Sequence, residues 1–363
     1  MFHNPEEVEH IKPSRKKPIF LVKDPLRHYL LRYGREIKLP ASYNDLMCFT
    51  YSVPLKDKQG KDTLWETVTY DMREWDYLRE SLVTIYAILK TEGDLSFINH
   101  LDVSRIDFCP FGNSQPFRIR IINKFNDNYD HYYIKQADAS RVYGLELEHL
   151  LSPNRITFFT NRGTLVEEHI PGIPGDDFIA GYLNNSAINR IRLAKEFVKF
   201  NERCFVRLLG DMRNYNFIIS FTPDIEDFQY RIRAIDFDQQ CYEGKKNMYR
   251  PQFFKDNKPF VDVVISSLDS ESIAQYQAEE HTMMAFRLIS SRYRIKELLD
   301  IMYFDEISKP EKIEQLKNEL YQHFNQALFL RCKNMGQIMK AQLKQTLHKS
   351  LSSMPKTQSR FDD

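Results

Sequence analysis

The stretch Gly210-Asp211-Met212-Arg213-Asn214-Tyr215-Asn216, the hydrophobic run that follows it, and Ala234-Ile235-Asp236-Phe237-Asp238 decide how this chain is interpreted. An aspartate, an asparagine five residues later and a second aspartate at the end of a predicted strand form an ordered set of oxygen ligands. Metal-assisted phosphoryl transfer needs a base and a few oxygen atoms that hold Mg²⁺. The alternative is a surface turn in which Asp236 caps a strand end. The residues upstream of this stretch distinguish the two interpretations.

Each member of this set has its own expected role. Asp211 is the predicted base, and Asn216 and Asp236 are the predicted Mg²⁺ ligands. Arg213 follows the base by two residues, where a cation can balance the charge of a transferring phosphoryl group. Asp238 is either an extra metal ligand or a solvated acid.

Two strand-like runs upstream predict a β-hairpin. Phe117–Asn123 and residues 131–136 are separated by a polar turn at residues 124–130. Lys135 comes late in the second run. The pattern therefore predicts a lysine on a strand, directly before a helix at about residues 140–151.

An acid on that predicted helix can pair with Lys135 and hold its ammonium group against nucleotide phosphates. The two candidates are Glu146 and Glu148. We expect Glu146, because it precedes Leu150 by four residues and so lies beside a buried position on the same helix face.

A second strand pair follows the helix. Residues 156–160 and an apolar run that ends in Glu167, Glu168 and His169 flank a turn at Asn161-Arg162-Gly163. A strand that runs into two acids and then Ile-Pro-Gly is typical of a hinge between two lobes, where backbone groups would contact adenine. A simple turn at Pro171-Gly172 is compatible with this interpretation.

With these motifs in order, the chain resembles the protein kinase-like superfamily, and most closely its aminoglycoside phosphotransferase and choline kinase branch. The resemblance covers about residues 102–244. It implies an α+β, two-lobed fold with a small β-rich lobe and a larger helical lobe, and it implies ATP and Mg²⁺ as cofactors. The residues that it assigns are Lys135 on the phosphates, Glu146 positioning that lysine, Asp211 as base, and Asn216 and Asp236 on Mg²⁺.

The chain departs from the family pattern at three places. Leu209 stands where the small-molecule branch has a histidine, so the hydrogen bonds that brace the loop must come from elsewhere. Asp238 replaces the glycine of Asp-Phe-Gly. Only Gly112 lies where a glycine-rich loop would cover the phosphates, although Asn113 and Ser114 can line such a turn.

We expect four segments along the chain. Residues 1–100 form a mixed N-terminal extension with a hairpin and a helix, and residues 101–170 form the kinase-like small lobe. Residues 171–348 form the helical large lobe with the catalytic loop, and residues 349–363 form a disordered tail. The hairpin is expected around the turn at residues 56–61, and the helix follows from Asp71 to Gly93, with an apolar stripe at Trp75, Leu78, Leu82, Ile85 and Leu89.

Composition limits the class of protein. The 363 residues are 42% hydrophobic, so a large core can form. The net charge of +1 provides no field toward nucleic acid or an anionic membrane. Five scattered cysteines, the lack of a signal peptide and the lack of a membrane span predict a cytoplasmic location.

The expected function is ATP- and Mg²⁺-dependent transfer of phosphate to a hydroxyl group. A small-molecule acceptor is expected first, and a protein substrate or partner remains open. The alternative is a pseudokinase, a binding or regulatory module that holds a nucleotide without turnover. No motif for nucleic-acid binding competes with these interpretations.

Overall fold

The computed structural model describes residues 17–91, 98–225 and 228–353. Helices and antiparallel strands both contribute, so the predicted α+β class is confirmed. Within the described residues, none of the helices combines the length and the apolar character needed to cross a bilayer.

Seven strands form one antiparallel sheet in the order β1-β2-β3-β4-β5-β7-β6. Their bounds are β1 (Tyr51–Lys56), β2 (Asp62–Thr69), β3 (Leu101–Phe108), β4 (Phe117–Asn123), β5 (Tyr129–Gln136), β6 (Phe158–Asn161) and β7 (Thr164–Glu168). The predicted hairpin of β4 and β5 is confirmed, with Phe117 opposite Ile134. The predicted pairing of β6 with β7 is confirmed as well.

The alternation of buried and half-buried residues along β4 shows which face of this sheet is covered. Phe117, Ile119 and Ile121 of β4 are buried, whereas the residues between them are half-buried. Helix α3 (Met72–Thr91) packs across β3 and β4. The predicted apolar stripe of α3 is buried at Leu78, Leu82, Ile85 and Leu89. Each such side chain contributes roughly 1.5–3 kcal/mol when it leaves water.

Two shorter helices precede the sheet, namely α1 (Asp24–Arg32) and α2 (Tyr43–Leu46). The sheet and its core both continue across the expected segment boundary at residue 100. Strand β2 pairs with β3, and one hydrophobic cluster joins Leu46 and Leu82 to Ile119 and Val166. The boundary remains a prediction, but residues 39–91 share a core with the strands that follow.

The rest of the chain is mainly helical. A small antiparallel sheet contains β8 (Ile173–Pro174), β9 (Phe217–Pro223) and β10 (Phe228–Ala234). The remaining helices are α4 (Ala139–Leu151), α5 (Gly175–Gly181), α6 (Arg190–Arg207), α7 (Lys258–Ser267), α8 (Ser270–Ser290), α9 (Arg292–Met302), α10 (Pro310–Phe324) and α11 (Met335–Ser352).

The ends of helices α11 and α3 bear on two of the expected boundaries. Helix α11 continues to Ser352, so residues 349–352 are helical and the expectation of disorder from residue 349 is wrong there. Residues 354–363 lie outside the described residues. Helix α3 ends at Thr91, and the expected end at Gly93 also lies outside them.

Candidate functional site

The loop that carries Asp211 begins where helix α6 ends. Leu208 has a φ of 52° and Asp211 has a φ of 58°, both in the left-handed region. A residue other than glycine costs roughly 1–2 kcal/mol in that region. Such a conformation persists only where the surrounding contacts impose it.

Backbone pairing with residues 239–241 supplies those contacts. Gly210 N–H donates to the carbonyl of Gln239 at 3.2 Å, and Cys241 N–H donates to the carbonyl of Leu208 at 2.9 Å. Leu209 therefore needs no polar side chain. The loop is braced by main-chain hydrogen bonds where the family pattern would place a histidine.

Asn216 holds the main chain of Asp211, and Arg213 holds its carboxylate. The Asn216 side-chain amide donates to the Asp211 carbonyl at 2.7 Å. The Arg213 Nε donates to the Asp211 carboxylate at 3.0 Å, and its Nη1 reaches Asp256 at 3.3 Å. Burial raises the pKa of the Asp211 carboxyl, and the charge of Arg213 opposes this shift. Arg213 is thus paired with the predicted base.

The two acids that follow β10 meet one arginine of α4. The Arg141 Nη1 donates to Asp236 at 2.9 Å and to Asp238 at 2.8 Å. The backbone N–H of Asp238 donates to the Asp236 carboxylate at 3.0 Å. Burial, followed by the nearby charge of Asp238, raises the pKa of Asp236. Asp238 is buried, so its interpretation as a solvated acid is wrong.

Lys135 and Arg141 share a third acid. The Lys135 ammonium donates to Glu167 at 2.8 Å, and the Arg141 Nη2 donates to the same carboxylate at 2.7 Å. Burial alone would raise the pKa of Glu167, but Arg141 and Lys135 lower it to about 2. A continuous chain of charges therefore runs from the strand lysine through Glu167 and Arg141 to Asp236.

The predicted pairing of Lys135 with Glu146 is wrong, and so is the alternative with Glu148. Glu146 accepts hydrogen bonds from Tyr29 at 2.7 Å and Arg294 at 2.8 Å, whereas Glu148 binds Arg207. Five residues turn a helix by roughly 140°. Glu146 consequently points away from the face of α4 that carries Arg141.

Sequence reasoning missed Arg141. It lies in the first turn of α4, where the helix dipole disfavours a cation. An arginine at such a position needs acids near it, and this is the signal that would have revealed it. Those acids are Glu167, Asp236 and Asp238.

One cleft of about 940 Å³ brings most of the predicted residues together. Its lining includes Gly112, Lys135, Asp211, Arg213, Asn216, Asp236 and Asp238. Gly112 lies against Pro116, whose Cδ would be 2.8 Å from an added Cβ. The cleft is lined by every residue predicted for catalysis and metal binding.

The predicted hinge residues lie in a second, adjoining cavity. Glu167, Glu168 and His169 line a space of about 290 Å³ with apolar walls that include Leu145 and Phe237. Lys135, Pro116 and Ile235 line both cavities. Glu146 lines neither, so it does not contact a ligand in either space.

The donor set fits a magnesium ion that is also bound by phosphates. No three His, Cys, Asp or Glu side chains of the described residues are grouped closely enough to hold a metal ion. Asp236, Asp238 and Asn216 offer two carboxylates and one amide, and Mg²⁺ on phosphates uses few protein oxygens. The Asp236 side chain is 35% exposed in the cleft, so it can still reach a cation.

Comparison with family models and with curated proteins finds no match to this chain.

Proposed function

We propose that this chain is an ATP- and Mg²⁺-dependent phosphotransferase with a two-lobed, protein kinase-like fold, and that its acceptor is a hydroxyl group of a small molecule. The observation that carries the proposal is the meeting of Lys135, Asp211, Asn216 and Asp236 at one cleft. These four residues come from three separate parts of the chain. An ordinary surface turn would not bring the strand lysine to the loop aspartate.

In this proposal the two cavities bind different parts of the nucleotide. The apolar walls of the smaller cavity suit adenine, and Lys135 stands between both cavities, where it can contact phosphates. Asn216 and Asp236 would hold Mg²⁺, which neutralises charge on the phosphates during transfer. A cleft of this size accommodates a nucleotide and a small acceptor.

Asp211 is the group that receives the acceptor proton. Its carboxylate is held by Arg213, and its main chain is held by Asn216, so its position in the cleft is fixed before substrate arrives. A raised pKa makes a carboxylate a better proton acceptor at neutral pH. Transfer to a sugar or an amino alcohol requires a base placed in this way.

The test combines nucleotide binding with turnover. We expect calorimetry to detect ATP binding that Mg²⁺ strengthens, and Asp236→Ala to remove that strengthening while metal-free binding changes little. We expect Asp211→Asn to lower phosphate transfer by about 10²–10⁴-fold, because a general base contributes that much, while ATP affinity stays nearly unchanged. The acceptor panel contains sugars, amino alcohols, aminoglycosides and protein substrates.

A second function is supported by the position of Arg141. A guanidinium that binds both Asp236 and Asp238 already satisfies the predicted metal ligands, as expected of a pseudokinase that binds nucleotide or a protein partner. Wild-type protein that binds ATP equally with and without Mg²⁺, and transfers phosphate to nothing in the panel, would favour this second function.

A further inference from the structure

A second charged cavity lies away from the cleft, where the C-terminal end of α4 meets α8 and α9. Its volume is about 500 Å³. We call it the arginine pocket and define it by His149, Arg155, Arg287, Ser290, Ser291 and Arg294. None of its described lining residues is acidic. The proposed phosphotransferase function uses none of these residues.

Positive charge exceeds negative charge around the arginine pocket. Arg294 and Arg35 share the single carboxylate of Glu146. Among the described residues, neither Arg155 nor Arg287 forms an ion pair. Burial lowers the pKa of Arg287, and the charge of Arg155 lowers it further against the opposing charge of Glu280. The cations therefore lie close enough to repel one another.

Two polar atoms in the arginine pocket are buried and lack partners. They are the Nε of Arg287 and the Nδ1 of His149, for which no hydrogen bond is formed within the described residues. A buried polar group without a partner destabilises the fold, because it has given up its hydrogen bonds to water. Arginine N–H groups bind only acceptors, and an anion in the cavity would supply acceptor oxygens and negative charge to the arginines that line it.

We propose that the arginine pocket binds a small, soluble anion that carries a phosphate group. Arginine forks match phosphate oxygens in geometry as well as charge. The two unpaired arginines, Arg155 and Arg287, balance a dianion. Hydroxyl groups of Ser290 and Ser291 and the rings of Tyr33 and Tyr293 also line the pocket, so an organic part of the ligand finds contacts there as well.

The test uses inorganic pyrophosphate as the probe, in calorimetry of the full chain without metal ions. We expect wild-type protein to bind it saturably at one site and Arg287→Gln to weaken binding at least tenfold. Arg155→Gln, a change at an exposed side chain, should act in the same direction. Arg331→Gln removes an equal charge outside this pocket and should leave binding unchanged.

The variant Lys135→Gln distinguishes pyrophosphate binding at the arginine pocket from binding at the cleft. Because Lys135 lines only the cleft and its neighbouring cavity, pyrophosphate binding at the arginine pocket should survive that change. Loss of binding in Lys135→Gln with retention in Arg287→Gln would overturn the proposal, as would the absence of saturable binding to wild-type protein. Circular dichroism of every variant verifies that each is folded.

Discussion

At the scale of single residues, Arg141 is the side chain that most affects the candidate site. It binds Glu167, Asp236 and Asp238, all of which are acids at or beside the cleft. In the proposed function, its charge would compete with a metal ion for Asp236, because both cations need the same carboxylate oxygens. Arg141 would therefore set how strongly the site binds a divalent cation before nucleotide arrives.

We predict that Arg141→Met tightens Mn²⁺ binding at least tenfold, measured by electron paramagnetic resonance without nucleotide. Two unit charges 4 Å apart interact by about 4 kcal/mol at an effective dielectric constant near 20, so removal of this cation favours a metal strongly. The same change should lower stability by roughly 3–5 kcal/mol, because it leaves buried acids without a partner.

Arg118→Gln is the control for this change. Arg118 pairs with Asp107 on the sheet and does not line the cleft. Its removal should leave Mn²⁺ affinity as it is in the wild type. Unchanged or weaker Mn²⁺ binding in Arg141→Met would contradict competition at Asp236.

Under the proposed function, the pH dependence of turnover follows the protonation of Asp211. Its pKa is raised above the ordinary value of 3.8, chiefly by burial, and Asp256 contributes to the increase. A base acts only when deprotonated, so activity should fall as the pH decreases through this raised pKa. Asp256→Asn removes a neighbouring negative charge, lowers the pKa of Asp211 and should move the acidic limb of the kcat profile to lower pH.

The control for the pH experiment is Asp262→Asn, which removes an exposed acid that pairs with Lys258. Its profile should overlay that of the wild type. An acidic limb that stays in place in Asp256→Asn would mean that another group controls the pH dependence.

At the scale of elements, α4 connects the cleft to the rest of the fold. Its first turn carries Arg141, and its later turns carry Glu146 and Glu148. Glu146 binds Tyr29 of α1, Arg35 and Arg294 of α9, and is fully buried. The acid that we expected at the nucleotide instead fixes the helix to its neighbours.

We predict that Glu146→Gln lowers the free energy of unfolding by roughly 3–5 kcal/mol, because the buried Arg35 and the half-buried Arg294 lose their carboxylate. ATP affinity of the folded variant should remain within a factor of about three, since Glu146 lines neither cavity. Urea denaturation measures the first quantity and calorimetry measures the second.

Glu297→Gln provides the matched control for Glu146→Gln. Glu297 pairs with Arg32, whose side chain is 68% exposed, so the change should cost at most about 1 kcal/mol. If Glu146→Gln weakened ATP binding as strongly as Lys135→Gln does, the anchoring role of Glu146 would be refuted.

At the scale of the whole molecule, residues 39–91 and the later strands share one hydrophobic cluster. Both tryptophans of the chain, Trp65 and Trp75, lie within this early part. Trp65 also carries the guanidinium of Arg118 of β4 over its ring at 4.6 Å. Tryptophan fluorescence therefore reports on the unfolding of the N-terminal part.

We predict that Ile119→Ala, in β4, lowers the stability monitored by tryptophan fluorescence in urea by roughly 2–5 kcal/mol, and that Leu82→Ala in α3 has an effect of the same size. Both side chains are fully buried in the same cluster, so they stabilise one cooperative unit. Ile265→Ala, at a side chain that is 72% exposed, should change stability by no more than about 0.5 kcal/mol. If Ile119→Ala left the midpoint of the fluorescence transition unchanged, residues 1–100 would unfold independently of the later strands.

Elements that depend on local periodicity are predictable from the order of the amino acids alone. The alternation in Phe117–Asn123 predicted β4, the stripe from Leu78 to Leu89 predicted α3, and a helix was expected directly after Lys135. These patterns are readable because burial of one face of a strand or helix repeats every two or 3.6 residues. The grouping of Asp211, Asn216 and Asp236 is likewise predictable from the sequence, since these residues lie in one short stretch.

Which charged side chains meet depends on how the whole chain folds. Lys135 and Glu167 are 32 positions apart, and Arg141 and Asp236 are 95 apart, so no local period relates them. Several acids are available to each cation, and the fold selects among them by placing the first turn of α4 beside Glu167 and Asp236. The same fold turns Glu146 away from the cleft and holds the loop at Leu209 by backbone hydrogen bonds, because buried polar groups bind whatever partner the fold brings within reach.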